Sequence, residues 1–205
     1  MAARSIRIEI AGGIASGKTS LARVLAHAGI RAIHEDFKRN PFYIAFYEDP
    51  AAYAFETEIT FLLQHYHAQK RYSKRWQSYC SDYSLILDAA YAAVTLTKDD
   101  ERIFEAVRER AERALPRRSL LIHLQCDPAI ELARIRRRNR KAEAAIDIRY
   151  LTRINDALAT KIARTKKSES VLTIDSGVID FVHTAVGKAR VVHEVRSALA
   201  QKRER

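Results

Sequence analysis

Several residue types are scarce in this chain of 205 residues, and each scarcity narrows the classes of protein it can be. There are only two cysteines, four prolines and six glycines. Cys80 and Cys126 form neither a disulfide framework nor a metal-ligand spacing, which favours a reducing compartment. No apolar run approaches the ~18 residues that a membrane-spanning helix needs. We therefore expect a cytoplasmic protein with no membrane partner, and the early first strand leaves no room for a targeting peptide.

The charge balance is strongly positive, with 36 Lys and Arg against 25 Asp and Glu and a net charge of +11. Such an excess suits nucleic acid, an anionic membrane surface or a polyphosphate substrate. Hydrophobic residues make up 47% of the chain, which is enough for one sizeable core. No repeat or low-complexity linker interrupts the sequence, so we predict a single domain over residues 1–205.

The strongest local signal is the segment Gly12-Gly13-Ile14-Ala15-Ser16-Gly17-Lys18-Thr19, which has the form G-x-x-x-x-G-K-T. An alternating segment typical of a strand precedes it, and apolar residues at helical spacing follow it. In that context the glycines let backbone N–H groups converge on phosphate oxygens at a helix N-terminus. Lys18 is expected to reach the β- and γ-phosphates, and Thr19 to ligate Mg²⁺. The segment predicts a bound nucleoside triphosphate.

Apolar segments alternate with helical patterns along the whole chain, which predicts a parallel sheet covered by helices on both faces. The five predicted strands cover residues 6–11, 30–33, 76–82, 119–124 and 171–175, and a terminal helix is predicted over about 178–200. Glu35 follows the second strand and Asp82 ends the third. Because the carboxyl ends of parallel strands share one edge with the phosphate loop, these acids are candidates for a general base or for magnesium ligands through water. Solvated loop acids are the equally open alternative.

Residues 134–141 contain five arginines and one lysine. A solvated helix face, a nucleic-acid patch and a phosphate-clamping lid all explain such a run. No aromatic residues alternate with these arginines, so we expect no nucleic-acid partner. Beside a phosphate loop, arginines that close over the γ-phosphate stabilise the charge that develops during transfer. We therefore interpret the run as a lid.

Several separated segments together resemble the deoxynucleoside kinase family, and most of all its bacterial branch. They are the phosphate loop, Glu35-Asp36-Phe37, Asn40-Pro41-Phe42, Phe46-Tyr47-Glu48-Asp49-Pro50, Ser81-Asp82-Tyr83 and the arginine run through Glu143. The resemblance implies a P-loop kinase-like three-layer α/β/α fold with a five-stranded parallel sheet and an Arg-rich lid at about 134–143. It also implies transfer of the γ-phosphate of ATP to the 5′-hydroxyl of a deoxynucleoside in nucleotide salvage, with Mg²⁺, commonly by a homodimer.

The resemblance assigns roles by position. Glu35 resembles the catalytic base, and Tyr47 and Glu143 resemble the pair that holds the sugar 3′-hydroxyl. The lid arginines of the family correspond to Arg134, Arg138 and Arg140. The positions at which relatives place Gln, Arg and an acid to read the base are Glu58, His65 and Asp88.

This chain departs from the family pattern at substrate-facing positions. Tyr83 stands where many relatives carry an arginine that touches the substrate 5′ end. An ionised Glu58 would only accept hydrogen bonds, which suits the two donors of guanine better than the edge of adenine and favours deoxyguanosine. Three alternatives stay open: another small-molecule P-loop kinase, a catalytically impaired nucleotide-binding paralogue acting as a partner protein, and a nucleic-acid-binding protein.

Overall fold

The sheet has five strands, and every pairing in it is parallel. The structure, a computed structural model, describes residues 6–166 and 169–203. The strands are β1 Ile6–Gly12, β2 Arg31–Ile33, β3 Ser78–Ser81, β4 Leu120–Gln125 and β5 Val171–Asp175. They lie in the order β2-β3-β1-β4-β5, so the phosphate loop leaves the central strand. The predicted five-stranded parallel sheet is confirmed.

The helices lie between the strands and after β5. They are α1 Lys18–His27, α2 Tyr43–Glu48, α3 Pro50–Ser73, α4 Leu85–Thr95, α5 Lys98–Ala114, α6 Pro128–Arg138, α7 Ile148–Thr165 and α8 Ala185–Arg203, with short 3₁₀ turns at Phe37–Arg39 and Lys141–Glu143. The Asp127 carboxylate caps α6 by accepting from the Ala129 amide at 2.7 Å, and Pro128 occupies its first turn. In the part of the chain that is described, no helix is long and apolar enough to span a membrane.

Helices cover both faces of the sheet. On one face α1 and α8 pack their buried aliphatic side chains, such as Leu25 and Val191, against Ile8 and Ile10. On the other face α4 and α7 pack against Ala11 and Leu121. Helices α3 and α5 extend this second layer around Leu62 and Phe104. The three-layer α/β/α arrangement is thereby confirmed, and it leaves the carboxyl ends of the strands open.

Two buried charges, Arg7 and Glu9, lie next to each other on one face of β1. Arg7 and Glu9 are each 0% exposed and form an ion pair at 2.6 Å. Glu9 also accepts from Arg118 at 2.5 Å and from Gln69 at 2.7 Å. Burial by itself would raise the pKa of Glu9, but the two guanidinium groups hold it at about 2. The alternation that predicted a strand here did not reveal that its polar residues are also covered.

The last helix begins at Ala185, so the expectation of a helix from about residue 178 was wrong at its start. The Asp180 carboxylate accepts from the amides of Val182 and His183, which turns the chain, and Thr184 accepts from the Gly187 amide. Phe181, 2% exposed, is buried in the core beside α1 and α8. These local hydrogen bonds compete with helical ones, so residues 176–183 stay outside α8 and can lie beside the phosphate loop.

Candidate active site

A cavity of about 1310 Å³ opens where the strands end at their carboxyl termini. Its wall contains the phosphate loop after β1, Glu35 after β2, Asp82 after β3 and the segment from Ser176 to His183 after β5. All the predicted site residues line it except Gly12 and Gly13. Side chains from seven separate parts of the sequence thus meet in one place, namely Lys18, Glu35, Tyr47, His65, Asp88, Arg134 and Glu143.

The phosphate loop adopts the form that its glycines allow. Gly17 precedes α1 with a φ of 105°, a left-handed conformation that favours glycine. Gly13 faces Glu131 so closely that an added Cβ would lie 2.7 Å from the carboxylate carbon. Lys18 Nζ donates to the carbonyl oxygens of Gly12 at 2.9 Å and Gly13 at 2.8 Å. Burial lowers the pKa of the Lys18 amine, although Glu35 and Glu131 act in the opposite direction.

The three predicted lid arginines have different partners. Arg134 donates to backbone oxygens, to Ser176 at 2.7 Å and to Ala15 at 3.3 Å, so it braces the phosphate loop against the segment after β5. Arg138 pairs with Glu143 at 2.6 Å, and Arg140 pairs with the same carboxylate at 3.2 Å. Helix α6 ends at Arg138, so Arg140 follows the helix. Arg134 therefore contacts the phosphate loop, whereas Arg138 and Arg140 contact Glu143.

Glu143 is the point at which the arginine run meets the sugar-side residues. It is 3% exposed and also accepts from the Tyr43 hydroxyl at 3.3 Å. Tyr47 packs edge-on against Tyr43, with ring centroids 5.2 Å apart. Burial raises the pKa of Tyr43 to about 12, and the charge of Glu143 adds to this, so both tyrosines remain hydroxyl donors at neutral pH. The predicted pair of Tyr47 and Glu143 lies together, and Tyr43 joins it.

Glu35 lies at the centre of the cavity, with its side chain 37% exposed. His65 Nε2 lies 3.1 Å from its Oε1, and His65 Nδ1 lies 2.9 Å from Oδ2 of Asp88. Burial by itself would raise the pKa of Glu35, but the hydrogen bond and charge of His65, together with Lys18 and Arg140, hold it below its usual value. Glu35 is therefore ionised at neutral pH and able to accept a proton.

Asp82 organises the segment that carries Glu35. Its Oδ1 accepts from the Glu35 amide at 2.7 Å, and its Oδ2 lies 3.0 Å from His34 Nδ1. Thr19, Glu35 and Asp82 line the same cavity and offer only oxygen atoms, the ligands that Mg²⁺ prefers. Within the described residues, no three His, Cys, Asp or Glu side chains form a metal cluster.

Glu58 also lines the cavity and is 5% exposed. Burial raises its pKa to about 8, and the nearby charge of Asp88 contributes in the same direction. Its Oε1 lies 3.2 Å from the hydroxyl of Thr95, which also bonds the Tyr91 carbonyl at 2.9 Å. That hydroxyl has a single proton for two oxygen acceptors, which is consistent with a proton on Glu58. The expectation of a purely accepting Glu58 rested on an ionised carboxylate, and the structure removes that premise.

Sequence reasoning missed Tyr43 as a member of this site and missed the contacts that Tyr83 and Glu131 make. Tyr43 lies one helical turn before Tyr47, so its i,i+4 spacing was a usable signal. Tyr83 stacks on His65, with centroids 4.0 Å apart and planes 11° apart, and no sequence pattern announces such a contact. Glu131 packs against Gly13 and accepts from Asn155 at 2.8 Å. Its position in the first turn of α6 made it resemble an ordinary solvated acid.

Comparisons with known proteins agree with this geometry. Residues 8–200 match the deoxynucleoside kinase family. A deoxyguanosine kinase of Bacillus subtilis (strain 168) is 26% identical over 200 residues, which is 94% of this chain and 97% of that protein. A deoxyadenosine kinase of Dictyostelium discoideum is 27% identical over 156 residues, covering 73% of this chain and 64% of that one. The solved structure of deoxyadenosine kinase from M. mycoides with bound dCTP shares the fold, with a TM-score of 0.80, 16% identity, and coverage of 94% of this chain and 100% of that chain.

Proposed function

The chain belongs to the deoxynucleoside kinase family, and from that premise we propose that it transfers the γ-phosphate of ATP to the 5′-hydroxyl of a deoxynucleoside. One observation carries this proposal: a single cavity joins the phosphate loop to an ionised Glu35 and to a row of buried polar groups beyond it. We assign the phosphate donor to the side of Glu35 that the phosphate loop lines, and the deoxynucleoside to the other side.

The proposed reaction needs positioning and charge neutralisation more than covalent help. Glu35 accepts the proton of the 5′-hydroxyl while that oxygen bonds to the γ-phosphorus and the bond to the leaving ADP oxygen breaks. Lys18 leaves the carbonyl oxygens of Gly12 and Gly13 to meet the phosphates. Arg138 and Arg140, which pair with Glu143, would balance charge on the transferred group.

Mg²⁺ fits the oxygen-only donor set near the phosphate loop. Thr19 would ligate it directly, with Glu35 or Asp82 acting through water. When bound, the ion supplies charge neutralisation at the phosphates.

The sugar and base are assigned to the inner part of the cavity. Glu143, Tyr43 and Tyr47 supply one acceptor and two hydroxyl donors for the sugar 3′-hydroxyl. A protonated Glu58 both donates and accepts, as the amide of relatives does, so it suits adenine as well as guanine. We propose a purine deoxynucleoside substrate with no preference imposed by Glu58. The cytoplasmic location and the homodimer remain part of this proposal.

An assay that couples ADP release to each deoxynucleoside in turn tests this function. We expect turnover with one or more purine deoxynucleosides and loss of it in the Glu35→Gln variant. Asp36→Asn changes the neighbouring exposed carboxylate and is the matched control. ADP release that does not depend on any nucleoside would contradict the proposal, and phosphorylation of an unrelated alcohol would favour another small-molecule kinase.

A further inference from the structure

His65 is a buried histidine held in an unusual setting. It lies on α3, is 4% exposed, and its ring contacts two aromatic rings. Tyr83 stacks on one side at 4.0 Å between centroids, and Phe61 lies at 5.7 Å with planes 28° apart. Aromatic faces stabilise a cation placed above them. The packing around His65 therefore suits an imidazolium better than it suits a neutral ring.

Both ring nitrogens of His65 face carboxylates. Nδ1 lies 3.0 Å and 2.9 Å from the two oxygens of Asp88, an arrangement in which one N–H is shared by an ionised carboxylate. Nε2 lies 3.1 Å from Oε1 of Glu35. Ionised carboxylates only accept hydrogen bonds, so both nitrogens must donate, and only the protonated ring has two donors. Burial raises the pKa of Asp88, while the charge and hydrogen bond of His65 act in the opposite direction. With both carboxylates ionised, the ring carries a positive charge.

The titratable groups around this ring come from four elements, and their net effect can be stated. They are Glu58 on α3 itself, Asp88 on α4, Glu35 after β2 and Tyr83 after β3. Burial lowers the pKa of His65, but Asp88 and Glu35 outweigh it and raise the value to about 10. Beyond Glu35, Lys18 and Arg140 add positive charge that acts on that carboxylate as well.

We propose that His65 is the positioning residue of Glu35, which the imidazolium keeps ionised and aims into the cavity while Asp88 anchors the ring on α4. The proposal rests on the proposed kinase function. It gives this chain a cation beside the catalytic carboxylate even though Tyr83 stands where many relatives carry arginine. It also removes the feature that favoured an impaired paralogue, because Tyr83 supports the ring that supplies the charge.

The same geometry distinguishes a residue that positions Glu35 from a residue that contacts the nucleobase. In this arrangement neither nitrogen of His65 is left to meet a nucleobase, since each already faces a carboxylate. A residue that reads the base would mainly change the KM for the nucleoside at every pH. A residue that keeps Glu35 ionised would instead change the pH at which turnover is lost, because it sets the pKa of the base.

The first test compares pH profiles of kcat/KM for the wild type, His65→Gln and His65→Arg. Removing a charge within hydrogen-bond distance raises the pKa of a carboxyl by ~1–3 units, so the acid limb of His65→Gln should move up by about that amount. Activity should then fall in the acid range, where the wild type is still active, and should return toward the wild-type value as the pH rises through neutrality. His65→Arg keeps a permanent cation and should restore the acid limb. His67→Gln, an exposed histidine on the same helix, is the matched control.

The second test does not depend on enzymatic activity. ¹⁵N NMR of the histidine rings in the intact protein reports the proton count on each nitrogen. We expect one buried ring to keep both protons at about pH 8, where an ordinary histidine with a pKa of ~6.5 is neutral. The absence of its signal from a folded His65→Gln sample would assign it.

The outcomes distinguish the two proposals. A wild type with no deoxynucleoside-dependent turnover would overturn the proposed function itself. An active wild type whose His65→Gln variant keeps the acid limb in place, or whose histidines are all neutral at about pH 8, would overturn the positioning role alone. A raised KM with an unmoved acid limb would assign His65 to base reading.

Discussion

The two sides of the cavity are built in different ways. On the donor side, Lys18 and Arg134 bond backbone oxygens of the phosphate loop and of the segment after β5. On the acceptor side the contacts join side chains to side chains, as between His65 and Asp88 or Arg138 and Glu143. Backbone geometry follows from a short local sequence, whereas a network of side chains depends on the identity of each member. The donor side can therefore stay constant while single substitutions change what the acceptor side binds.

The comparison is tested most directly by one substitution on each side, and these should give the largest effects. Lys18→Ala removes a phosphate-neutralising charge and Glu35→Gln removes the base, so each should lower kcat by ~10² or more. Glu35→Gln should still bind nucleoside, whereas Lys18→Ala should lose ATP. Steady-state kinetics and equilibrium titration of both ligands separate the two. Turnover near the wild-type value in either variant would remove that residue from the chemistry.

A substitution at Glu143 tests whether nucleoside binding can be weakened without weakening ATP binding. Glu143→Gln keeps the shape but loses the charge that holds two arginines, so we expect the KM for the nucleoside to rise by roughly 10- to 100-fold. The KM for ATP should change far less. Titration of the nucleoside at saturating ATP gives the measurement, and Glu48→Gln is an exposed control nearby. An equal rise in both KM values would show that the two sides are not independent.

The ionisation of Glu58, on the acceptor side, should make the stability of the protein depend on pH. Its folded-state pKa of about 8 lies above the ordinary 4.5, so folding disfavours its ionised form. The wild type should therefore lose stability as the pH rises from about 4.5 through 8, at roughly 1.4 kcal/mol per unit of pKa difference. Glu58→Gln mimics the protonated form, and its free energy of unfolding should exceed that of the wild type by up to about 5 kcal/mol near pH 9 and by less than about 1 kcal/mol near pH 5. Urea unfolding at both pH values, with the exposed Glu56→Gln as control, measures this.

Arg134 should give the smallest effect. Its bonds to Ala15 and Ser176 support the phosphate loop from outside, so Arg134→Lys should raise the KM for ATP by about three- to tenfold and leave nucleoside binding unchanged. ATP titration at saturating nucleoside is the measurement. A loss in kcat as large as that of Lys18→Ala would instead place Arg134 on the transferred phosphate.

The fold was predictable because its signals are local. Five apolar segments predicted the five strands. Pro50 and Pro128 lie in the first turns of α3 and α6, so they indicated where these helices begin. The burial of Arg7 and Glu9 was not predictable, since their partners Gln69, Glu112 and Arg118 come from distant segments. Short-range periodicity contains no information about what covers a strand.

The site was predictable as a set of positions but not as a set of chemical states. The resemblance placed Glu35, Glu58 and His65 in one cavity, and the structure brings them together. Whether Glu58 is protonated and His65 charged depends on burial and on distances to carboxylates, which arise only when α3, α4 and β2 pack. Protonation in a folded protein is a property of the assembled site.

The contact between Gly13 and Glu131 has a consequence for how this sequence can change over time. A side chain at position 13 would push aside the end of Glu131, whose carboxylate carbon lies 2.7 Å from where a Cβ would be. Because that carboxylate is buried and accepts from Asn155, displacing it has a cost that a smaller residue at position 131 would not incur. The two positions should therefore be coupled, so that Gly13→Ala destabilises the protein less in a Glu131→Ala background than in the wild type.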